Sequence, residues 1–224
     1  MAEVPRGRLA VIISGRGSNL GAFIDACKSG ALNADINIVV SNNPDAEGLA
    51  LAAAAGIPTA IVNHRDYADR ESFDAALVDT LAAHSPDLVI LAGFMRILTP
   101  VFVEAFAGRL MNIHPSLLPK YPGLNTHQRA LDSGDTEAGV TVHFVTLELD
   151  GGPPIVQAHV PIETGDTAER LAARVNREEL VIYPLAARWY LEGRLQLTGA
   201  GAELDGEALP PTGVTYREEL LASA

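Results

Sequence analysis

The sequence predicts an α/β fold, an open, mostly parallel twisted sheet with helices on both of its faces. Short, continuous apolar runs alternate with stretches of helical spacing, and the links between them are short. Because a parallel strand is buried on both faces and usually continues into a crossover helix, this alternation is typical of a doubly wound sheet. No linker divides the 224 residues. We therefore expect a single domain over 1–224, with a small C-terminal hairpin or tail over 194–224.

The first half of the chain contains four predicted strands, each a short apolar run. They lie at residues 9–13, 36–40, 59–62 and 87–92. Between them the sequence predicts helices over residues 20–28, over the Ala-rich stretch that follows residues 42–45, and over 69–84. The third helix has apolar side chains at 73, 76, 77 and 81, which is the spacing of one helix face. Gly56 and Pro58 end the Ala-rich helix, since neither residue continues a helix well.

The second half is less regular. Strands are predicted at 109–113, 139–146 and 155–160, and three prolines make residues 114–125 a structured loop. A long helix is predicted over 167–191, capped by Asp166 or Thr167. Pro184 lies inside this helix and should kink or break it, because proline removes a backbone donor.

Composition narrows the classes of partner. The net charge of −12 disfavours nucleic acid and anionic membranes, and no apolar run approaches the roughly 20 residues of a membrane span. Cys27 is the one cysteine, so no disulfide can form within the chain. No signal peptide is visible, and we expect a cytoplasmic protein. No H-E-x-x-H or cysteine-pair pattern occurs, so we predict no metal.

A glycine-rich turn follows the first predicted strand at residues 14–19, Ser-Gly-Arg-Gly-Ser-Asn. A strand, such a turn and then a helix place free N–H groups at the positive end of a helix dipole, which suits an anion. The third glycine of the dinucleotide fingerprint would fall at Leu20, and no Gly-Lys-Ser/Thr follows. The turn therefore favours a single phosphate, although a tight turn with an ordinary helix cap is also consistent with it.

Asn112 and His114 stand two residues apart at the end of a predicted buried strand. Their side chains should therefore point to one face, at the sheet edge where ligands bind. A turn histidine bonded to backbone is an equally open interpretation of His114. Asp150 lies between two predicted strands, and its spacing leaves open an ordinary turn aspartate. His143 is interpreted as a satisfied core histidine.

Four motifs, taken in order, resemble the phosphoribosylglycinamide formyltransferase family of purine biosynthesis. They are SGRGSNL at 14–20, LAGFMRIL at 91–98, NIHPSLLPKYPG at 112–123 and VHFVTLELDGGP at 142–153. The resemblance spans roughly residues 8 to 210. Two positions depart from what the family leads us to expect: Arg16 in the first motif, and Asn125, where some relatives carry histidine.

The resemblance implies transfer of a formyl group from 10-formyltetrahydrofolate to the amine of glycinamide ribonucleotide. It implies that Asn112, His114 and Asp150 are catalytic. The positions it assigns to the ribonucleotide are Gly17, Ser18, Asn19 and Glu179. The positions it assigns to the folate are Arg70, Met95, Arg96, Ile97, Leu98 and Asn112. The partners are then small molecules, with a homodimer left open.

In this mechanism, which the resemblance implies, the amine attacks the formyl carbon directly. Asn112 and His114 donate to the oxyanion, and Asp150 favours the charged histidine and helps to move the amine proton. Another 10-formyltetrahydrofolate enzyme is a rival: a transfer-RNA formyltransferase would need a further basic domain, and a hydrolase typically carries an additional N-terminal domain. A non-catalytic nucleotide-binding module remains open, and a dinucleotide dehydrogenase is disfavoured by the missing glycine.

Overall fold

The structure, a computed structural model, describes residues 5–218. The part of the predicted tail at 219–224 therefore lies outside the described residues. The chain divides into two compact units between Met111 and Asn112. The single domain expected over 1–224 stays a prediction.

The first unit contains four parallel strands in the order β3-β2-β1-β4. They are β1 (Gly7–Ile13), β2 (Ala34–Ser41), β3 (Thr59–Ile61) and β4 (Leu88–Leu91). The central strand β1 is fully buried from Leu9 to Ile13, as its continuous apolar run predicts. All four strands lie within about two residues of the predicted ranges.

The helices of the first unit follow the strands. They are α1 (Ser18–Ser29), α2 (Glu47–Ala54), α3 (Arg70–Ala82) and α4 (Pro100–Ala105), with a 3-10 turn at His64–Asp66. Helix α3 begins where the Asp69 carboxylate accepts from the Ser72 N–H, and it buries Phe73, Leu77 and Leu81 on one face. Helix α4 was not predicted, because six residues are too few to show a helical period.

The second unit contains strands of both directions. They are β5 (Leu110–His114), which begins two residues before the division, β6 (Glu137–Phe144), β7 (Pro154–Pro161), β8 (Leu195–Thr198), β9 (Gly201–Leu204), β10 (Glu207–Ala208) and β11 (Val214–Thr215). Strands β5-β6-β7-β11 are neighbours in that order, with β6 and β7 antiparallel and β7 and β11 parallel. The predicted α/β class, with a mixed and mostly parallel sheet, is confirmed.

The end of the described chain forms two structures. Strands β8, β9 and β10 make a separate antiparallel sheet. Strand β11 then pairs with β7, and the Tyr216 N–H donates to the Gln157 carbonyl at 2.7 Å. This return to the larger sheet was not predicted, since a two-residue strand carries no periodic signal.

Two helices complete the second unit, α5 (Thr126–Asp132) and α6 (Ala168–Leu191). Thr167 caps α6, because its hydroxyl accepts from the Arg170 N–H. Of the kink or break predicted at Pro184, the break is wrong, since α6 continues through it to Leu191. Buried neighbours on both sides of Pro184, Tyr183 and Trp189 among them, favour the helix and offset the lost hydrogen bond.

Candidate active site

The predicted phosphate loop joins β1 to α1. Gly17 is the N-cap of α1, in the left-handed region at φ 80°, and as a glycine it provides no side-chain cap. Gly17 packs so closely on Gly48 that an added Cβ would lie 2.8 Å from the Gly48 Cα. The first N–H groups of a helix lack helical partners, so this end suits an anion. Beside it lies a cavity of about 270 Å³, lined by Ser14, Gly15, Arg16, Gly17, Ser18, Asn19, Ala92, Gly93 and Met95.

Residues 95–98, predicted to line the folate pocket, form an anchored segment with exposed apolar side chains. The Met95 N–H donates to the Ser14 hydroxyl at 3.0 Å, and the Thr99 N–H donates to the buried Asp74 carboxylate at 2.5 Å. The Arg96 guanidinium lies 5.2 Å from the centre of the Phe73 ring. The Met95 and Ile97 side chains are nevertheless 74% and 57% exposed, which excludes a core role for both. A fixed backbone that presents such side chains can bind a flat, apolar ligand.

His114 ends β5 and is buried. Its Nε2 lies 2.9 Å from the Tyr121 carbonyl oxygen, which can only accept, so this nitrogen carries a proton. Its Nδ1 lies 3.5 Å from the Asp150 Oδ2, which is longer than a normal hydrogen bond. Nδ1 is therefore the ring nitrogen that can bond to a substrate oxygen.

Asp150 lies in the connection between β6 and β7, with a left-handed backbone at φ 52°. Its Oδ2 accepts from the Gly123 N–H at 2.9 Å, and its Oδ1 lies 3.9 Å from His143 Nε2. Its side chain is only 9% exposed. Asp150 is thus a turn residue whose carboxylate also faces His114.

His143 is the residue of this cluster that the sequence analysis did not assign to the site. It is buried, as predicted, and its Nδ1 donates to the Phe144 carbonyl at 2.8 Å. Burial lowers the pKa of His143 to about 4, so the ring is neutral and Nε2 is an acceptor. The Asn112 Nδ2 lies 3.2 Å from that Nε2. His143 therefore fixes which end of the Asn112 amide is the donor, and one Asn112 N–H stays free of this bond.

The structure brings Asn112, His114 and Asp150 together, with His143 beside them. Gly17, Ser18 and Asn19 form the turn at the start of α1, and residues 95–98 form the anchored segment. The two remaining predicted residues lie on helices: Arg70 is exposed at the start of α3, and Glu179 accepts from Asn176 Nδ2 at 3.1 Å within α6. The alternation along β6 could have drawn attention to His143, but only the fold shows that it faces Asn112.

Two kinds of feature are absent from residues 5–218. No helix in that range combines the length and apolar character that a membrane span requires. No three His, Cys, Asp or Glu side chains there are grouped so that they could hold a metal ion.

Comparisons with known proteins agree on one family. The model of a family described as "Formyl transferase" matches residues 7–187. The phosphoribosylglycinamide formyltransferase of Escherichia coli is 52% identical over 210 residues, which cover 94% of this chain and 99% of that protein. The enzyme of the same name from Haemophilus influenzae is 50% identical over 206 residues, covering 92% and 97%. A solved phosphoribosylglycinamide formyltransferase from Coxiella burnetii is 46% identical, with a TM-score of 0.91 over 95% of this chain and 100% of that one.

The chain therefore belongs to the formyl transferase family of enzymes, and within it to the phosphoribosylglycinamide formyltransferases.

Proposed function

We propose that this enzyme transfers a formyl group from 10-formyltetrahydrofolate to the terminal amine of glycinamide ribonucleotide, a step of de novo purine biosynthesis. The observation that carries the proposal is the cluster of Asn112, His114 and Asp150. It joins two donors to a carboxylate at the end of β5, in a chain of this family. We also propose that Gly17, Ser18, Asn19 and Glu179 bind the ribonucleotide.

The chemistry needs no covalent intermediate. The amine nitrogen forms a bond to the formyl carbon, and the carbonyl electron pair moves to oxygen. The Asn112 N–H not bonded to His143, and the His114 Nδ1–H, donate to that oxyanion. Asp150 accepts the proton that the amine loses. The bond between the formyl carbon and the folate nitrogen then breaks, and that proton goes to the departing nitrogen, directly or through water.

Two features support the binding part of the proposal. The cavity at residues 14–19 offers backbone N–H groups to one phosphate. The exposed Met95 and Ile97, with Arg70, Arg96 and Leu98, offer apolar surface and positive charge to a folate, whose ring is flat and whose tail is anionic. Holding both substrates in attack geometry lowers the barrier by about 7–11 kcal/mol in favourable cases.

The wider cellular setting belongs to the same proposal. A net charge of −12 favours small-molecule partners over nucleic acid or membranes, and one cysteine in 224 residues is typical of a cytoplasmic protein. That the enzyme works without a metal stays a prediction, and a homodimer is left open.

The test is an assay of formyl transfer to synthetic glycinamide ribonucleotide, with a parallel reaction that lacks the acceptor. We expect formylated ribonucleotide to form only when the acceptor is present. Release of formate at the same rate without acceptor would indicate a hydrolase instead. Binding of the ribonucleotide without any transfer would indicate a nucleotide-binding module.

A further inference from the structure

The loop between β5 and α5 contacts both catalytic side chains. The Tyr121 carbonyl accepts from His114 Nε2, and the Gly123 N–H donates to the Asp150 Oδ2, each at 2.9 Å. Neither contact uses His114 Nδ1, the atom that faces Asp150. Residues 121–123 of this loop thus orient the side chains of both His114 and Asp150.

Tyr121 needs outside support to hold this position. Its backbone lies in the left-handed region at φ 55°, which costs a residue with a side chain about 1–2 kcal/mol. The Tyr121 hydroxyl donates to Asp135 Oδ2 at 2.9 Å, and the Lys120 ammonium donates to the same oxygen at 3.0 Å. The Asp135 side chain is only 18% exposed. The bond from Lys120 first, and then the bond from Tyr121, hold the pKa of Asp135 below its usual value, so the carboxylate is charged.

Other side chains also support this loop, but they do so in a different way from Asp135. The Arg129 guanidinium lies 5.1 Å from the centre of the Tyr121 ring and donates to the Pro122 carbonyl at 2.6 Å. The Ser116 hydroxyl donates to the Lys120 carbonyl at 2.6 Å. These groups hold the backbone or the ring. Asp135 instead holds two consecutive side chains at one oxygen, which fixes the peptide unit between them.

We propose that Asp135 is a positioning residue of the transfer reaction: by holding Lys120 and Tyr121, it aligns the Tyr121 carbonyl with His114 and the Gly123 N–H with Asp150. It has no contact with the reacting atoms. Without Asp135, His114 stays at the end of β5 and Asp150 stays in its turn, but the two side chains lose their alignment. This inference rests on the proposed function, since it concerns the rate of that reaction.

The experiment compares Asp135→Ala with Asp132→Ala in the full chain. Asp132 is a matched control because it is an exposed carboxylate at the end of α5, and its side chain accepts from the Gln128 amide of the same helix. We expect Asp135→Ala to lower kcat by about 10- to 100-fold, the scale of a misalignment near 1 Å. We expect KM for the ribonucleotide to stay at the value of the control.

Tyr121→Phe is a milder second variant, since it removes one hydroxyl and keeps the ring under Arg129. It should lower kcat less than Asp135→Ala does. The double variant should be no slower than Asp135→Ala alone, because both changes break the same link. Equal kcat in both variants and in the control would overturn the inference, and so would a rise in KM that matches the fall in kcat. If the wild-type chain transfers no formyl group, the proposed function fails and the inference falls with it.

Discussion

At the scale of single residues, one substitution tests the proposed catalytic role of Asp150. Asp150→Asn keeps the shape of the side chain and an acceptor for the Gly123 N–H, but it removes the proton acceptor and the charge opposite His114. We expect kcat to fall by about 100-fold or more, the usual scale for a lost general base. Binding of the ribonucleotide should change little. Steady-state kinetics and calorimetric titration measure the two quantities.

Glu148→Gln is the control for that variant, because Glu148 is exposed in the same connection between β6 and β7. Its kcat should match that of the wild-type enzyme. If Asp150→Asn were as active as Glu148→Gln, Asp150 would have no catalytic part.

His143 gives stability a dependence on pH. Its pKa is about 4 in the folded chain and 6.5 in an unfolded one, because burial disfavours the charged ring. Between those values the unfolded chain binds a proton that the folded chain does not, so stability falls as pH falls from 6.5 towards 4. From pH 7 to pH 5 this residue should cost about 2 kcal/mol of unfolding free energy. His143→Asn should lose less than the wild type over that interval in urea titrations, and an equal loss in both would contradict the assignment.

Residue patterns could predict part of this site. The period of two along a strand places Asn112 and His114 on one face, and the end of a buried strand makes that face a ligand edge. The same period placed His143 in the core, where it lies. It could not show that Asn112 is the partner of His143, because a bond between two strands depends on their register. Asp150 joined the site through the resemblance and not through spacing.

At the scale of elements, the start of α1 depends on one close approach. Gly17→Ala must place a side chain at φ 80° and also meet the Gly48 Cα at 2.8 Å. Gly30→Ala is the matched control, since Gly30 has the same φ of 80° at the other end of α1 and nothing lies within 4 Å of its added Cβ. The left-handed backbone should cost each variant about 1–2 kcal/mol.

The clash should add to that loss only at Gly17. We expect Gly17→Ala to unfold at a lower urea concentration than Gly30→Ala, and only Gly17→Ala to raise KM for the ribonucleotide. Equal midpoints and equal KM values would show that the approach to Gly48 is unimportant.

The sequence predicted the elements with a clear period and missed those without one. Helix α3 follows the spacing of Phe73, Leu77 and Leu81 and begins at Arg70, one residue after the predicted start. Helix α4 and strand β11 are too short to show any period. The continuation of α6 through Pro184 depends on the burial of its neighbours, which is a property of the whole fold and overrides a local preference.

At the scale of the molecule, strand β11 covers the edge of β7 in the same sheet. Strand β11 pairs with β7, and Gly213 makes the turn that allows it, at φ 73°; an added Cβ there would lie 2.6 Å from the Ile155 backbone. Gly213→Ala should therefore detach β11 and expose the edge of β7, which favours association between copies. We expect lower stability and faster aggregation on warming, measured by light scattering.

Gly206→Ala separates the effect of a left-handed backbone from the effect of the clash with Ile155. Gly206 also has a positive φ, of 83°, but nothing lies within 4 Å of its added Cβ. It should lose about 1–2 kcal/mol and aggregate no faster than the wild type. If both variants aggregated alike, the pairing of β11 would not protect β7.

The overall class was predictable because alternation of apolar runs and helices extends over the whole first half of the chain. The acidic charge was also informative, but as an average: −12 over the chain coexists with a turn that suits a phosphate. Net charge disfavours partners with extended negative surfaces, such as nucleic acid or anionic membranes, but it says little about one local site.

Because β6 and β7 are antiparallel neighbours, part of the site lies on one continuous segment of the chain. A parallel neighbour needs a crossover of a dozen or more residues, whereas antiparallel neighbours can be joined by a short turn. Because residues 145–153 join the two antiparallel strands directly, His143 and Asp150 lie on one hairpin, residues 137–161. An engineer who exchanges parts between formyl transferases can therefore move this hairpin as a single cassette, and the spacing of histidine and acid would go with it. Asn112 and His114, on β5, would have to be supplied by the recipient.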